Sequence, residues 1–158
     1  MSTFFQIRFV ESDVTLKARI LEEKAPTTAQ AFADLLQTSA IETAGKHAMY
    51  TGKEVSIQLP KGSCESTLLH EPPKENLTCF PQPGDILYTF MPAYAWGGIP
   101  QPIYDFGLFY GKEARTFFPA GWLPGNLFAR IVDEDLEELE EIGRVIHLKG
   151  QQNIVITL

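Results

Sequence analysis

The side chains with reactive potential in this 158-residue chain are few: three histidines, two cysteines and scattered carboxylates. His47, Tyr50 and Glu54 flank Thr51-Gly52-Lys53, so a hairpin there would bring them together. Histidine titrates near neutral pH and a carboxylate can orient it, which makes the trio a candidate acid–base cluster. The plainer reading is an ordinary cross-strand polar pair between His47 and Glu54. Cys64, His70 and Cys79 have zinc-ligand chemistry, but their spacing matches no finger or ribbon, and no metal is expected. His147 reads as a surface or satisfied core histidine on a strand near the C-terminus. Gly97-Gly98 opens no helix and sits between Trp96 and Ile99, so it cradles no anion. Neither a Gly-x-Ser-x-Gly elbow nor a His-Glu-x-x-His pair occurs, which leaves serine and zinc hydrolases unsignalled. No cofactor is expected.

The irregular stretches are rich in rings instead: Phe80, Tyr94, Trp96, Tyr104, Phe117, Phe118 and Trp122. Rings in loops wall a pocket or an interface, or pack beneath the loops as a satellite core, and composition does not choose between these. If they wall a groove, Asp105 and Asn126 at its rim would fix a small polar ligand.

Periodicity gives the elements that must position these residues. Residues 3–10 and 14–21 alternate apolar and polar across the turn Glu11-Ser12-Asp13, a hairpin with one buried face. Pro26-Thr27-Thr28 starts a helix on which Phe32, Leu35 and Leu36 share a face. Short strands are expected over 47–50 and 54–59. From Pro60 to Pro83 the text turns to Pro, Ser, Glu, Lys and Asn, an excursion as long as many lids and binding loops. Strand character returns at 85–91, 104–110 and 126–132, with irregular stretches at 92–102 and 111–125 between. Asp133 is expected to cap a second helix, with Leu136, Leu139 and Ile142 on one face and Gly143 at its end. Residues 145–148 and 154–158 are then expected as a closing hairpin. Eight or nine short strands with two helices indicate a barrel or sandwich whose openings the helices plug.

The length suits one domain, 1–158, large enough to hold its own core. Hydrophobic content of 44% and charged content of 21% argue against disorder. The net charge of −7 disfavours nucleic acid or an anionic membrane surface as a partner. Much of the excess acid falls within 133–141, where it would coat a helix. No signal peptide is indicated, and no run approaches the roughly 18 apolar residues of a membrane helix. The two cysteines are expected as free thiols, in keeping with a cytoplasmic location.

Several segments carry a likeness to a known family. Ala25-Pro26-Thr27-Thr28-Ala29-Gln30-Ala31-Phe32 is similar to the start of the first cyclophilin helix, and residues 122–131 resemble a shortened form of the cyclophilin tryptophan segment. Gly52-Lys53-Glu54-Val55, Pro83-Gly84-Asp85-Ile86-Leu87-Tyr88 and Leu108-Phe109-Tyr110-Gly111 resemble small bacterial cyclophilin-like proteins of unknown function. The resemblance implies a mainly β fold, a closed antiparallel cyclophilin-like β-barrel with two helices covering the openings.

It also implies where a prolyl isomerase would carry its tool. That reaction lowers a rotational barrier of about 18–20 kcal/mol. Cyclophilins use an apolar slot and an arginine that hydrogen-bonds the twisting amide. The corresponding strand here, Glu54-Val55-Ser56-Ile57-Gln58-Leu59, has no arginine; Arg19 and Arg115 lie in other elements. The family's Phe-Met-x-Gln segment is missing, and its histidine is lost with the shortening near Asn126. Trp122, Leu123 and Phe109 remain, an apolar wall without its polar donor. Losing such a donor commonly lowers a rate by about 10²–10³-fold.

The expectation is a barrel that binds a small polar or amide-containing ligand in an aromatic groove. Tyr88, Trp96, Tyr104, Tyr110 and Trp122 would wall it, with His47, Tyr50, Glu54 and Asn126 as its polar residues. A prolyl isomerase acting on peptides is one alternative. A homo-oligomeric module, its aromatic loops buried between subunits, is the other.

Overall fold

Phe5, Ile7 and Phe9 of β1 (Phe4–Phe9) alternate with exposed residues, as do Leu16, Ala18 and Ile20 of β2 (Val14–Ile20). One face of this hairpin is therefore wholly apolar, and curling the sheet around it takes that face out of water. The computed structural model, which describes residues 2–158, continues the pattern through β3 (Ile41–His47), β4 (Glu54–Gln58), β5 (Leu77–Thr78), β6 (Asp85–Met91) and β7 (Ile103–Phe109). A two-residue pair, β8 (Phe117–Phe118) with β9 (Gly121–Trp122), precedes β10 (Gly125–Ile131) and β11 (Gln152–Thr157).

Eight of these strands close on themselves in the order β2-β1-β11-β3-β4-β7-β6-β10, every neighbour antiparallel. The seam is β10 against β2, through Ala129↔Ile20, Arg130↔Arg19 and Ile131↔Ala18. Closure gives each of these eight strands a neighbour on both sides, and the two-residue β5 adds to β10 beside the seam. The fold is the closed, mainly β, antiparallel barrel that the sequence implies.

Because neighbours alternate in direction, each mouth gathers strand starts and strand ends in turn, and a helix covers each mouth. In α1 (Pro26–Thr38), Phe32 meets Phe5 and Phe128 edge-on at 5.0 and 5.1 Å and Phe106 at 5.7 Å. Rings from one helix and three strands thus fill one end. At the other end α3 (Leu136–Lys149) buries Leu139, Ile142 and Ile146. The remaining helix, α2 (Lys61–Cys64), is a single turn within the 60–83 excursion.

Three expectations about the elements are corrected. First, β3 occupies 41–47, and residues 48–53 form the turn into β4. Second, α3 does not stop at Gly143. A Cβ there would run into the Tyr110 ring, so this glycine serves a close packing contact inside the helix. The helix ends at Gly150, whose φ of +103° suits glycine at a helix C-terminus. His147 and residues 145–148 are therefore helical, and β11 pairs with β1 and β3 instead of closing a hairpin. Third, Asp133 begins a 3₁₀ turn, and the residue at the α3 cap position is Asp135. The Asp135 carboxylate accepts the Lys17 backbone N–H (2.7 Å), tying the helix start to β2. Among the described residues no helix is long and apolar enough to cross a membrane.

Candidate functional site

Val55 and Ile57 of β4, with Phe106 and Leu108 of β7, point into the barrel core. The pleat sends their neighbours Glu54, Ser56 and Gln58, and Asp105, Gly107 and Phe109, to the outer face. The register sets Gln58 opposite Asp105, Ser56 opposite Gly107, and Glu54 opposite Phe109. Above this face lies a cleft of about 120 Å³ whose lining includes Glu54, Ser56, Gln58 and Asp105.

Two carboxyl groups form its floor. Glu54 is 6% exposed and Asp105 is half-buried. The Glu54 carboxylate leans diagonally over Gly107, where a Cβ would strike its Oε2; glycine is what lets it lie there. Gly107 and Asp105 are two strand steps apart, about 6–7 Å along the strand, and the Asp105 carboxyl reaches back toward Ser56 opposite Gly107, so the two acids are neighbours on this face. The Thr51 hydroxyl donates to Glu54 Oε1 (2.8 Å), and Ser56 Oγ lies a long 3.4 Å from Asp105 Oδ1. None of the ion pairs among the described residues involves either acid.

Burial without a counter-cation disfavours ionisation. It raises Glu54 to about 8, with the neighbouring Asp105 adding and the Thr51 hydroxyl opposing. Burial likewise raises Asp105 to about 7, against the Ser56 hydroxyl. Two acids this close titrate as a pair, and near neutral pH the pair shares protons that ordinary carboxylates would have lost.

The walls come from three segments. Tyr50 stands in the β3–β4 turn, Trp96 in the 92–102 loop, and Phe118 in the small hairpin. Trp96 meets Phe118 edge-on at 4.9 Å, and Tyr50 lies 6.2 Å from Trp96 and 6.3 Å from Phe118. Gly97 and Gly98 both take positive φ, which turns the chain sharply after Trp96. Met91 and Ile103 add apolar surface.

His47 borders the cleft at the end of β3. Its Nδ1 is 2.8 Å from the Ala48 carbonyl and its Nε2 is 2.7 Å from the Tyr110 hydroxyl. A carbonyl only accepts, so Nδ1 carries the proton and Nε2 of the neutral ring accepts from Tyr110. The ring also stacks on His147 of α3, centroids 4.1 Å apart. Burial, and then the nearby His147, push the His47 imidazole below the ordinary value, with the bond to Ala48 opposing. Both nitrogens are engaged, and His47 and Glu54 do not bond to each other.

Residues 7–158 match the model of a family described as a protein of unknown function, DUF3830. The chain belongs to that family. No curated protein matches this DUF3830 chain in sequence. Among solved structures it is similar to McbB in complex with tryptophan, at 17% identity and a TM-score of 0.69. That match covers 97% of this chain and 44% of McbB, so the chain spans less than half of McbB's length. It is similar too to the hypothetical protein AF2241 from Archaeoglobus fulgidus, at 19% identity and a TM-score of 0.56, over 99% of this chain and 94% of that one. A cyclophilin-type peptidyl-prolyl cis-trans isomerase of Cryptosporidium parvum aligns at 11% identity and a TM-score of 0.47, over 89% and 85% of the two chains.

In the DUF3830 barrel, His47, Tyr50, Glu54 and Trp96 gather at the cleft, and the other expected site residues lie elsewhere. Tyr88 and Tyr104 point inward and are each 1% exposed. Tyr88 donates its hydroxyl to the Leu69 carbonyl (2.6 Å), and the Tyr104 hydroxyl bonds His70 Nδ1 (2.8 Å). Both are core rings that fasten the 60–83 excursion. Tyr110 packs under α3 and reaches the cleft only through His47. Trp122 is 53% exposed, between Phe80 and Phe117, on the far side of the small hairpin from Phe118. Asn126 is buried, donating to Thr28 Oγ1 and the Pro73 carbonyl and accepting from Glu75 N–H, so it clamps the excursion to the barrel.

Ser56, Gln58, Met91 and Ile103 at the cleft carried no signal as single residues. Asp105 stands on the floor where a rim position was expected. Both cysteines are free, and among the described residues no three His, Cys, Asp or Glu converge as metal ligands would.

Proposed function

We propose that this barrel binds a small polar ligand, amide-bearing compounds included, in the cleft on the outer face of β4 and β7. The observation that carries the reading is the Glu54–Asp105 pair: two carboxyls without a counter-cation at the floor of a ring-walled cleft. A pair that shares a proton offers one donor and several acceptors side by side, which complements the C=O and N–H edge of an amide. Tyr50, Trp96 and Phe118 would cover the apolar part of such a ligand. McbB, 44% of which matches this chain, has been solved in complex with tryptophan, which supports a small molecule as the ligand here. Among the described residues no arginine lines the cleft. Arg19 sits opposite Arg130 at the barrel seam, and Arg115 lies beside Phe80 and Gln82. Binding therefore suits the site better than proline isomerisation does.

The test is a thermal-shift screen of small amides, carboxylic acids and nucleobase-like compounds, repeated on Trp96→Ala. A ligand at about 100 times its Kd stabilises the folded state by about 2.7 kcal/mol, or roughly 5–10 °C for a chain of this size. At least one class should shift the native protein and lose that shift in Trp96→Ala. Silence from every class at millimolar concentration overturns the reading.

A further inference from the structure

The floor of the cleft has a feature that a neutral ligand would leave unused. Glu54 is more than nine-tenths buried, yet its Oε2 accepts no hydrogen bond among the described residues; only Oε1 is engaged, by Thr51. Asp105 has the single long contact from Ser56. Lys46 lines the same cleft, but it is exposed and forms no ion pair with either acid. Glu54 Oε2 and the Asp105 carboxyl are neighbouring acceptors with no cation of their own, and one ammonium group, with three N–H donors, can bond both. Tyr50, Trp96 and Phe118 line the same cleft, and the face of an aromatic ring favours a cation over a neutral group.

We infer that the ligand of this cleft is a cation, a small primary amine bound as its ammonium between Glu54 and Asp105 beneath Tyr50, Trp96 and Phe118. The inference rests on the reading of the cleft as a small-ligand site and narrows its ligand class. Occupation by a cation supplies the missing counter-charge, so binding drives the shared proton off the pair. The ionisable groups facing the cleft are Glu54 of β4, Asp105 of β7, Lys46 and His47 of β3, and Tyr50 of the turn. His147 and Tyr110 touch it only through His47. Between pH 6 and pH 8 an alkylammonium keeps its charge while the carboxyl pair loses a proton. Affinity for the amine should therefore rise with pH, toward about tenfold per pH unit where one proton is released.

The experiment is calorimetric titration with a series of primary ammonium ions, from methylammonium to benzylammonium, beside the uncharged alcohols of the same skeletons. Titrations are run at pH 6, 7 and 8 in buffers of differing ionisation enthalpy. At least one ammonium ion should bind about tenfold or more tightly than its alcohol at pH 8, release a proton on binding, and bind about tenfold or more weakly to Asp105→Asn, while its alcohol binds both proteins alike. If Asp105→Asn does not fold, Glu54→Gln serves in its place. Equal binding of amine and alcohol, or amine binding indifferent to pH, overturns the cation. A response to amides alone also overturns it and leaves the small-ligand reading standing. Silence from amines, alcohols and amides together removes both.

Discussion

Glu54→Gln is expected to remove a loss of stability that the native protein suffers as pH rises, and the size of the effect follows from the site. The amide keeps the shape of the carboxyl and still accepts the Thr51 hydroxyl, so the change removes only the ability to ionise. In the folded protein Glu54 holds its proton up to about 8, while an unfolded glutamate lets go near ~4.3. The folded state therefore binds more protons than the unfolded state across that interval, and stability falls as pH rises through it. Each pH unit is worth about 1.4 kcal/mol for one proton. From pH 5 to pH 8 the native chain should lose roughly 4 kcal/mol relative to Glu54→Gln. Asp105 is raised by burial, which the variant keeps, so its own contribution is common to both proteins. Groups common to both proteins, His47 and Asp85 among them, cancel in the difference. Urea unfolding of both proteins at pH 5, 6, 7 and 8 measures it. Parallel stability curves would mean that Glu54 is ionised and solvated, and the account of the cleft floor would fail.

Two further outcomes test how the site is held. Gly143→Ala should destabilise the protein by about 1–3 kcal/mol although alanine is the better helix former, because the new methyl meets the Tyr110 ring; a raised melting temperature would show that the ring has room to move. Asn126→Ala should lose about 2–4 kcal/mol with its three hydrogen bonds and speed proteolysis within 60–83, and unchanged cleavage there would mean that the excursion is anchored without it.

The fold was legible wherever a local pattern decided it. The first hairpin and α1 follow from alternation and from the Pro26 start, and both stand as the sequence reads. The C-terminal end did not follow, because Gly143 has two physical meanings. A glycine after a helical run marks a stop when its φ is positive, but a glycine inside a helix also admits a neighbour that no Cβ would allow. The residue that settles the matter, Tyr110, is 33 positions upstream in the sequence, so no window around Gly143 contains it. Once α3 runs on to Lys149, β11 has no hairpin partner beside it and fills the gap between β1 and β3.

The site divides in the same way. Period-two reading of β7 sets Tyr104 with Phe106 and Leu108, and Asp105 with Gly107; of β6, it sets Tyr88 with Ile86. That parity alone assigns both tyrosines to the core and Asp105 to the outer face, so weighing rings by type instead of by strand phase misplaced them. What parity cannot supply is the pairing of β4 with β7, whose residues lie some fifty positions apart and meet only because the barrel closes in that order. A lone acid on an outer strand face is an ordinary solvated residue. Two of them, brought together by a non-local register over a glycine in a cleft lined by rings from three separate segments, form a buried acid pair without a counter-cation. The chemistry of this cleft therefore belongs to the topology, and a cation between Glu54 and Asp105 is the occupant that answers it.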